Sequence, residues 1–307
     1  MQCTLSRQVW LICLAICIHF TLLPAQEKSI VVLIPSYNNR QWVRQNLTSA
    51  LSQKYNNFRI IYIDDASEDD TTEQVNLTLR RLNYTVPFQL IRNPQRLGSL
   101  ANIYSALHHY CDDQEIVAIL DGDDWFSDSY VLQTLNTEYT TKNIWMTHGA
   151  FVEHPQADCS WSIPIPEDIV TTNAFREFRC PSHLKTFYAW LFKKIRIEDL
   201  QYQGEFFAMT GDQAIMFPMI EMAGERHSFI SRLTYVYNRS NLINDNKVNP
   251  TLQQNLEKLI RSMPRYLRLD SPPVKERTDN VLIPRNETSS TLNSKSAMRM
   301  VSSFTGK

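Results

Sequence analysis

An α/β fold with a mainly parallel central sheet is what this sequence predicts, on three observations. Between Ser29 and Tyr139, short apolar runs rich in β-branched residues alternate with amphipathic stretches at helical spacing. The runs show no polar alternation, as expected of strands covered on both faces. Carboxylates cluster where two of them stop, Asp64-Asp65 after the second and Asp121–Asp124 after the fourth.

Ser29–Ser36 (SIVVLIPS) reads as the first strand, closed by Pro35, which has no N–H to donate. Tyr37, Asn38 and Asn39 make a polar turn, and Gln41–Gln53 then places Trp42, Val43, Leu47, Ala50 and Leu51 on one helical face. Phe58–Ile63 is the second strand. Ser67, Asp69, Asp70 and Thr71 are helix-capping types and introduce a helix through Val75, Leu79 and Leu82. Phe88–Arg92 gives a third strand and Leu97–Tyr110 a third helix. Ile116–Leu120 is the fourth strand, and Asp128–Tyr139 the helix after it. Repeated βα alternation requires crossovers, hence parallel strands with helices on both faces. The second half is less regular. It offers a strand at Ile144–Val152, a Pro-rich loop over His154–Asp168 and an aromatic-rich helix at Leu184–Ile195. An apolar helix at Gln213–Ala223, kinked at Pro218, a strand at Phe229–Tyr237 and a helix at Pro250–Arg261 complete it.

The chain is organised around Ile116–Trp125, IVAILDGDDW. Carboxylates packed at the carboxyl end of a buried strand repel one another unless a cation sits among them. Hard oxygen ligands of this kind suit Mg²⁺ or Mn²⁺, above all an ion that also grips phosphates. Gly122 allows the turn that aims Asp121 and Asp123 at one point. Both acidic clusters fall beyond strand carboxyl ends, where sheets of this class hold ligands. The competing reading of each is a helix cap.

The 307 residues, 43% hydrophobic and 21% charged, suffice for one large α/β domain or for a domain with an appendage. A formal charge of −1 with scattered Lys and Arg argues against nucleic acid as a partner. Residues 1–26 read as a signal peptide or short membrane anchor: Arg7, the apolar run Val9–Leu23, then small Ala25 for cleavage. The expected location is therefore the secretory lumen or outside the cell, with membrane association as the second choice. Cys3, Cys13 and Cys17 lie in this leader. Cys111, Cys159 and Cys180 allow at most one disulfide and lack metal-ligand spacing. Sequons begin at Asn46, Asn76, Asn83, Asn238 and Asn286 and matter if the chain passes through a eukaryotic secretory pathway. From about Ser271 the chain turns polar and Ser/Thr-rich, which reads as a disordered tail.

Three segments in order, VVLIPSYNNRQWVRQNLTSALSQ, IIYIDDASEDDTTE and LDGDDW, resemble the inverting family 2 glycosyltransferases of the GT-A fold over roughly Ser29–Ala223. The resemblance implies a nucleotide-binding half (27–140), a smaller acceptor-side half (141–270) and the tail 271–307. It implies transfer of a hexose or N-acetylhexosamine from a nucleoside-diphosphate sugar, with UDP as the common carrier, to a hydroxyl on a glycan, lipid or protein. Pro35, Tyr37 and Asn38 match the loop lining the nucleotide pocket, and Asp65 the carboxylate that meets the base. Arg96 falls near the donor. Asp121 and Asp123 match the D-x-D motif that holds Mn²⁺ or Mg²⁺, with Asp124 joining them or contacting the sugar. Asp212 fits the base that opens a helix after the acceptor loop, although members often carry Glu-Asp where this chain has Gly211-Asp212. His183, with Lys185, Tyr188 and Trp190, falls in the acceptor region, and His183 is taken as its candidate. Trp125 is expected to pack beneath the motif.

Two other classes compete with this reading. A sugar-nucleotide pyrophosphorylase needs a Gly-rich basic loop after the first strand, which Pro35-Ser36-Tyr37-Asn38-Asn39 is not. A non-catalytic exported glycan- or nucleotide-binding protein of the same fold is the alternative, and the intact Asp121, Asp123 and Asp212 argue against it.

Overall fold

A computed structural model describes residues 27–273, apart from residues 159 and 244. The expected leader, Cys159 and nearly all of the expected tail lie outside the described residues. The first half runs β1 (Ile30–Ser36), α1 (Val43–Leu51), β2 (Phe58–Asp64), α2 (Thr71–Leu82), β3 (Phe88–Arg92), α3 (Ser99–Tyr110), β4 (Ile116–Ile119), a short β5 (Trp125–Phe126) and α4 (Val131–Thr141). The second half contains β6 (Met146–His154), α5 (Glu167–Thr172), β7 (Thr186–Tyr188), α6 (Ala189–Phe192), β8 (Gln201–Tyr202) and β9 (Glu205–Phe206). It ends in α7 (Gly211–Ala223), β10 (His227–Asn238), α8 (Asp245–Val248) and α9 (Pro250–Ser262).

Eight strands form one sheet in the order β3-β2-β1-β4-β7-β6-β10-β5. β3, β2, β1 and β4 run parallel, as do β6 and β10, while β7 and β5 run against their neighbours. Side-chain alternation divides the core. Val31 and Leu33 of β1 pack with Leu100 and Leu107 of α3 and with the apolar α7. Ile30, Val32 and Ile34 face the other way, onto Val43 and Leu47 of α1 and Leu132 and Leu135 of α4. Covered on both faces, β1 is fully buried along its length, which is why it reads as one apolar run.

Two local expectations change. Residues 184–195 are not one helix: Thr186–Tyr188 form β7, and only Ala189–Phe192 turn helical. β7 is wedged between β4 and β6 and pairs with both, so ladder hydrogen bonds outweigh an aromatic spacing that also fits a helix. Pro35 does not end β1, because the strand continues to Ser36 and the Pro35 carbonyl accepts Gly122 N–H at 3.0 Å. Trp125 packs as expected, stacked on Trp42 with ring centroids 6.4 Å apart.

α7 is apolar on every side and buried from Ala214 onward, with Pro218 inside it. Its one buried charge, Glu221, meets Arg176 through two hydrogen bonds of 2.6 and 2.9 Å. Arg176 also donates to the Ile260 carbonyl, and Glu221 accepts the Tyr266 N–H, so this pair ties α9 and the following segment to α7. Removing one member of such a pair leaves an uncompensated buried charge, at a cost of about 3–5 kcal/mol. Arg176→Met should therefore lower the urea midpoint sharply, whereas Arg265→Met, at a surface ion pair, should barely move it.

Candidate active site

The register of the sheet assembles the site. Ser36 pairs with Asp64 and Leu33 with Ile119, so Tyr37, Asp65 and Asp121 emerge together at the carboxyl ends of β1, β2 and β4. They open into a cleft of about 510 Å³, which extends past β7 to β6 and β10. That volume falls in the range of small-molecule sites.

The acidic loop is held from two sides. Asn46 of α1 donates its side-chain amide to the carbonyls of Asp121 and Asp124, at 3.0 and 2.8 Å. Asn238 of β10 donates to the Asp123 carbonyl at 3.1 Å. Both asparagines open sequons, yet both are fully buried with their amides engaged here, whereas Asn76 and Asn83 are exposed. Gly122 lies against β1, where an added Cβ would come within 2.6 Å of the Ser36 side chain. Gly122→Ala should displace the loop and cost about 1–3 kcal/mol. The check is a lowered melting temperature together with weakened nucleotide binding.

The carboxylates have different tasks. Asp124 is buried, and its oxygens accept from the Tyr235 hydroxyl at 2.6 Å and from Asn238 N–H at 2.7 Å. Burial, then Asp123 and Asp121, push its pKa well above the usual carboxylate range. Asp124, expected to join the metal ligands or contact the sugar, lines the cleft at 1% exposure, and each of its oxygens holds one protein donor that ties the loop to β10. Asp121 is about a third exposed, and Asp123 is partly exposed and accepts from Asn241 at 2.8 Å. Among the described residues no group of three or more His, Cys, Asp or Glu forms a metal cage. Asp121 and Asp123 fit the other pattern, in which one or two carboxylates hold Mg²⁺ or a similar ion whose remaining ligands are phosphate and water. The donor set therefore suits a divalent ion shared with a substrate.

On the β2 side, Asp64 and Asp65 have different tasks. Asp64 braces the loop before α2, accepting Ser67 N–H at 2.9 Å and the Thr72 hydroxyl, while the N-cap of α2 is Asp70, which makes no side-chain cap bond. Asp65 lines the cleft. Its carboxylate accepts from Asn93 and from the Leu97 and Gly98 amides at 2.7–2.9 Å, which leaves acceptor capacity for an incoming N–H. Pro35 and Tyr37 line the cleft as well, and Arg96 lays its guanidinium over the Tyr37 ring at 4.0 Å. Asn38 stands behind the wall. With φ of 52° it joins the first two loops, its N–H on Ser67 and its side-chain oxygen accepting Glu68 N–H.

Across the cleft, Asp212 stands in the first turn of α7, exposed, accepting the N–H of its neighbour Gln213 at 2.9 Å and lining the cavity; the helix's N-cap is Thr210, which makes no side-chain cap bond. It follows Thr210, a β-branched residue held at φ of 59°. A backbone position of this kind is costly and is found at sites where geometry is imposed. His183 is 8% exposed, stacked on Tyr235 and Tyr237 at 4.4 and 5.5 Å, with Nδ1 lacking a partner among the described residues. Burial, then Lys185, hold its pKa well below the ordinary histidine value, so it is a neutral wall of the cleft.

Lys185, which the sequence resemblance places in the acceptor region without singling it out as a site residue, is central to the cleft. It is 5% exposed, lines the cleft and sets its ammonium 3.7 Å from Asp121. Burial pulls its pKa down, but Asp121, Asp212 and Asp124 outweigh this and hold it raised, so a charged ammonium forms the floor between the acidic loop and Asp212. The available signal was a lysine inside an apolar segment that proved to be a strand. Cys111 and Cys180 are free and buried, and burial pushes both thiols up, as befits residues that are not nucleophiles.

A mostly parallel α/β sheet with carboxylates gathered at its strand ends is the architecture of a nucleotide-binding enzyme. Residues 31–200, more than half of the chain, match the model of "Glycosyl transferase family 2", and the chain belongs to that family of glycosyltransferases. It is 28% identical over 122 residues to an uncharacterized glycosyltransferase of Haemophilus influenzae, a match covering 40% of this chain and 46% of that protein. It is 21% identical over 227 residues to glycosyltransferase GlyA of Streptococcus pneumoniae, covering 69% of this chain and 30% of that protein. The chain thus spans less than half the length of these relatives. The fold is similar to that of S. aureus TarS 1-349, solved with UDP-GlcNAc (TM-score 0.54, 15% identity, 76% of this chain and 65% of that one). It is also similar to mannosyltransferase PcManGT of Pyrobaculum calidifontis, solved with GDP-Man and Mn²⁺ (TM-score 0.53, 18% identity, 83% and 73%). The fold is that of the GT-A glycosyltransferases, as the sequence resemblance implied.

Proposed function

We propose that the protein is a metal-dependent inverting glycosyltransferase. It moves a hexose or N-acetylhexosamine from a nucleoside-diphosphate sugar, with UDP as carrier, to an acceptor hydroxyl. The observation that carries this reading is that Asp65, Asp121, Asp123 and Asp212 line one cleft at the strand carboxyl ends. The nucleotide sugars bound by TarS and PcManGT in their structures support the donor class. In this reading the nucleoside lies along Tyr37 and Arg96, with its base N–H on Asp65. Asp121 and Asp123 hold Mn²⁺ or Mg²⁺, which when bound supplies Lewis-acid stabilisation of the leaving diphosphate. Lys185 meets the same developing negative charge from the floor of the cleft. Asp212 takes the proton from the acceptor hydroxyl as that oxygen bonds to the anomeric carbon. The bond to the phosphate oxygen breaks on the opposite face, which inverts the centre. The apolar run expected to act as a leader in residues 1–26 supports a location in the secretory lumen or outside the cell, with membrane anchoring as the second choice.

Thermal shift against UDP, GDP and CMP, each with and without Mn²⁺, tests the reading. Stabilisation by one nucleotide only when metal is present is expected, on the order of 3 kcal/mol at a hundredfold excess over Kd. No shift with any nucleotide would favour the non-catalytic binding protein.

A further inference from the structure

The cleft does not end at Asp212. Beyond β7 it is walled by the carboxyl ends of β6 and β10, and there its character changes from acidic to aromatic. Trp161 presents an indole 45% exposed, in a protein whose other cleft aromatics are largely covered. The indole is braced edge-on by buried Phe151, with ring centroids 5.9 Å apart and planes at 86°. Its backbone is fixed as well. Ser160 N–H donates to the Phe151 carbonyl at 2.9 Å, and Arg179 donates to the Trp161 carbonyl at 2.8 Å. Phe151 also meets His183 and Tyr237, at 5.5 and 6.1 Å, so the wall continues as a packed aromatic surface. At its edge Arg239 donates to Glu153 at 3.3 Å, a pair whose arginine is 40% exposed.

From this arrangement we propose that the β6–β10 end of the cleft is the acceptor subsite and that it binds a neutral saccharide. The inference rests on the glycosyltransferase reading and names the acceptor class for the same site. A braced, half-exposed indole offers a flat apolar plane to the C–H face of a pyranose, while amphipathic rings leave the ligand's polar edge wet. The Arg239–Glu153 pair supplies a donor and an acceptor side by side, matching vicinal hydroxyls. The Arg239 guanidinium is engaged with Glu153, and Arg179 is turned onto the Trp161 carbonyl, so both guanidinium groups here already have protein acceptors. A lipid chain would require an aliphatic groove, and this wall is flat, aromatic and rimmed by charge. Asp212 lies in the same cavity, so a sugar on Trp161 can bring a hydroxyl toward it.

The test compares the full chain with its Trp161→Ala and Trp161→Phe variants, using Mn²⁺ and whichever nucleotide sugar the protein turns over. The acceptors are neutral oligosaccharides, a polyprenyl phosphate and a Ser/Thr peptide. Transfer to oligosaccharide is expected, with acceptor KM raised about tenfold in Trp161→Ala and largely restored in Trp161→Phe, while kcat moves little. Transfer to the lipid phosphate or the peptide in place of the saccharide would overturn the proposal. So would an acceptor KM equal in all three proteins. Oligosaccharide binding, read by isothermal titration calorimetry, keeps the two readings apart. Saccharide binding lost in Trp161→Ala, without any donor turnover, would sustain the subsite and remove the transferase. Turnover of donor with no saccharide binding would do the reverse.

Discussion

Asp212→Asn is expected to abolish sugar transfer while leaving nucleotide binding intact. The substitution keeps the size of the side chain and an oxygen that can still accept the Gln213 N–H, which Asp212 accepts at 2.9 Å. What disappears is the capacity to take a proton. General-base contributions of this kind amount to about 10²–10⁴-fold in rate. The loss should therefore appear in kcat, with the donor dissociation constant unchanged and the melting temperature close to that of the parent. Retention of a normal rate would mean that the proton goes elsewhere. A comparable loss of stability would instead point to a purely structural role for Asp212.

Asp123→Ala is expected to remove the metal-dependent component of nucleotide binding. Asp123 and Asp121 are the carboxylates of the loop that retain exposure toward the cleft, and Asp124 is committed to Tyr235 and Asn238. With one ligand gone, an ion that takes only one or two protein carboxylates loses much of its hold. Isothermal titration with nucleoside diphosphate should then give the same weak affinity with and without Mn²⁺. Asp124→Asn should behave differently. It weakens the joint between the acidic loop and β10, so its first effect is on stability. An Asp123→Ala protein that still binds nucleotide more tightly with Mn²⁺ would contradict the assignment of Asp123.

The nucleotide side of the fold was legible because burial on both faces writes itself as uninterrupted apolar runs, such as IVVLI in β1 and IVAI in β4. Polar residues that must face a ligand then have one place to go, the strand ends, and Asp65 and the acidic loop stand out there. The acceptor side was harder to read for a physical reason. β7 has three residues and owes its conformation to β4 and β6 on either side, not to local preference. Lys185, one residue before it, was therefore read within a helix, where a lysine is usually a solvated face. Asn46, Asn238 and Tyr235 hold the acidic loop from elements distant in sequence, and such contacts leave no local spacing to read. Trp161 sat in a Pro-rich loop that shows no periodicity. Asp64 and Asp65 carry the same local pattern, and only the loop geometry separates the residue that braces the loop from the one that lines the cleft.

The measurement that tests the central claim most directly is the configuration of the transferred sugar. The full chain would be incubated with Mn²⁺, a panel of UDP- and GDP-sugars and an oligosaccharide acceptor, and the early product examined by proton NMR. Release of nucleoside diphosphate matched by a product whose anomeric centre is opposite to that of the donor is the predicted result. Retention of the donor's configuration, or no transfer from any nucleotide sugar while Mn²⁺ is present, would contradict the account.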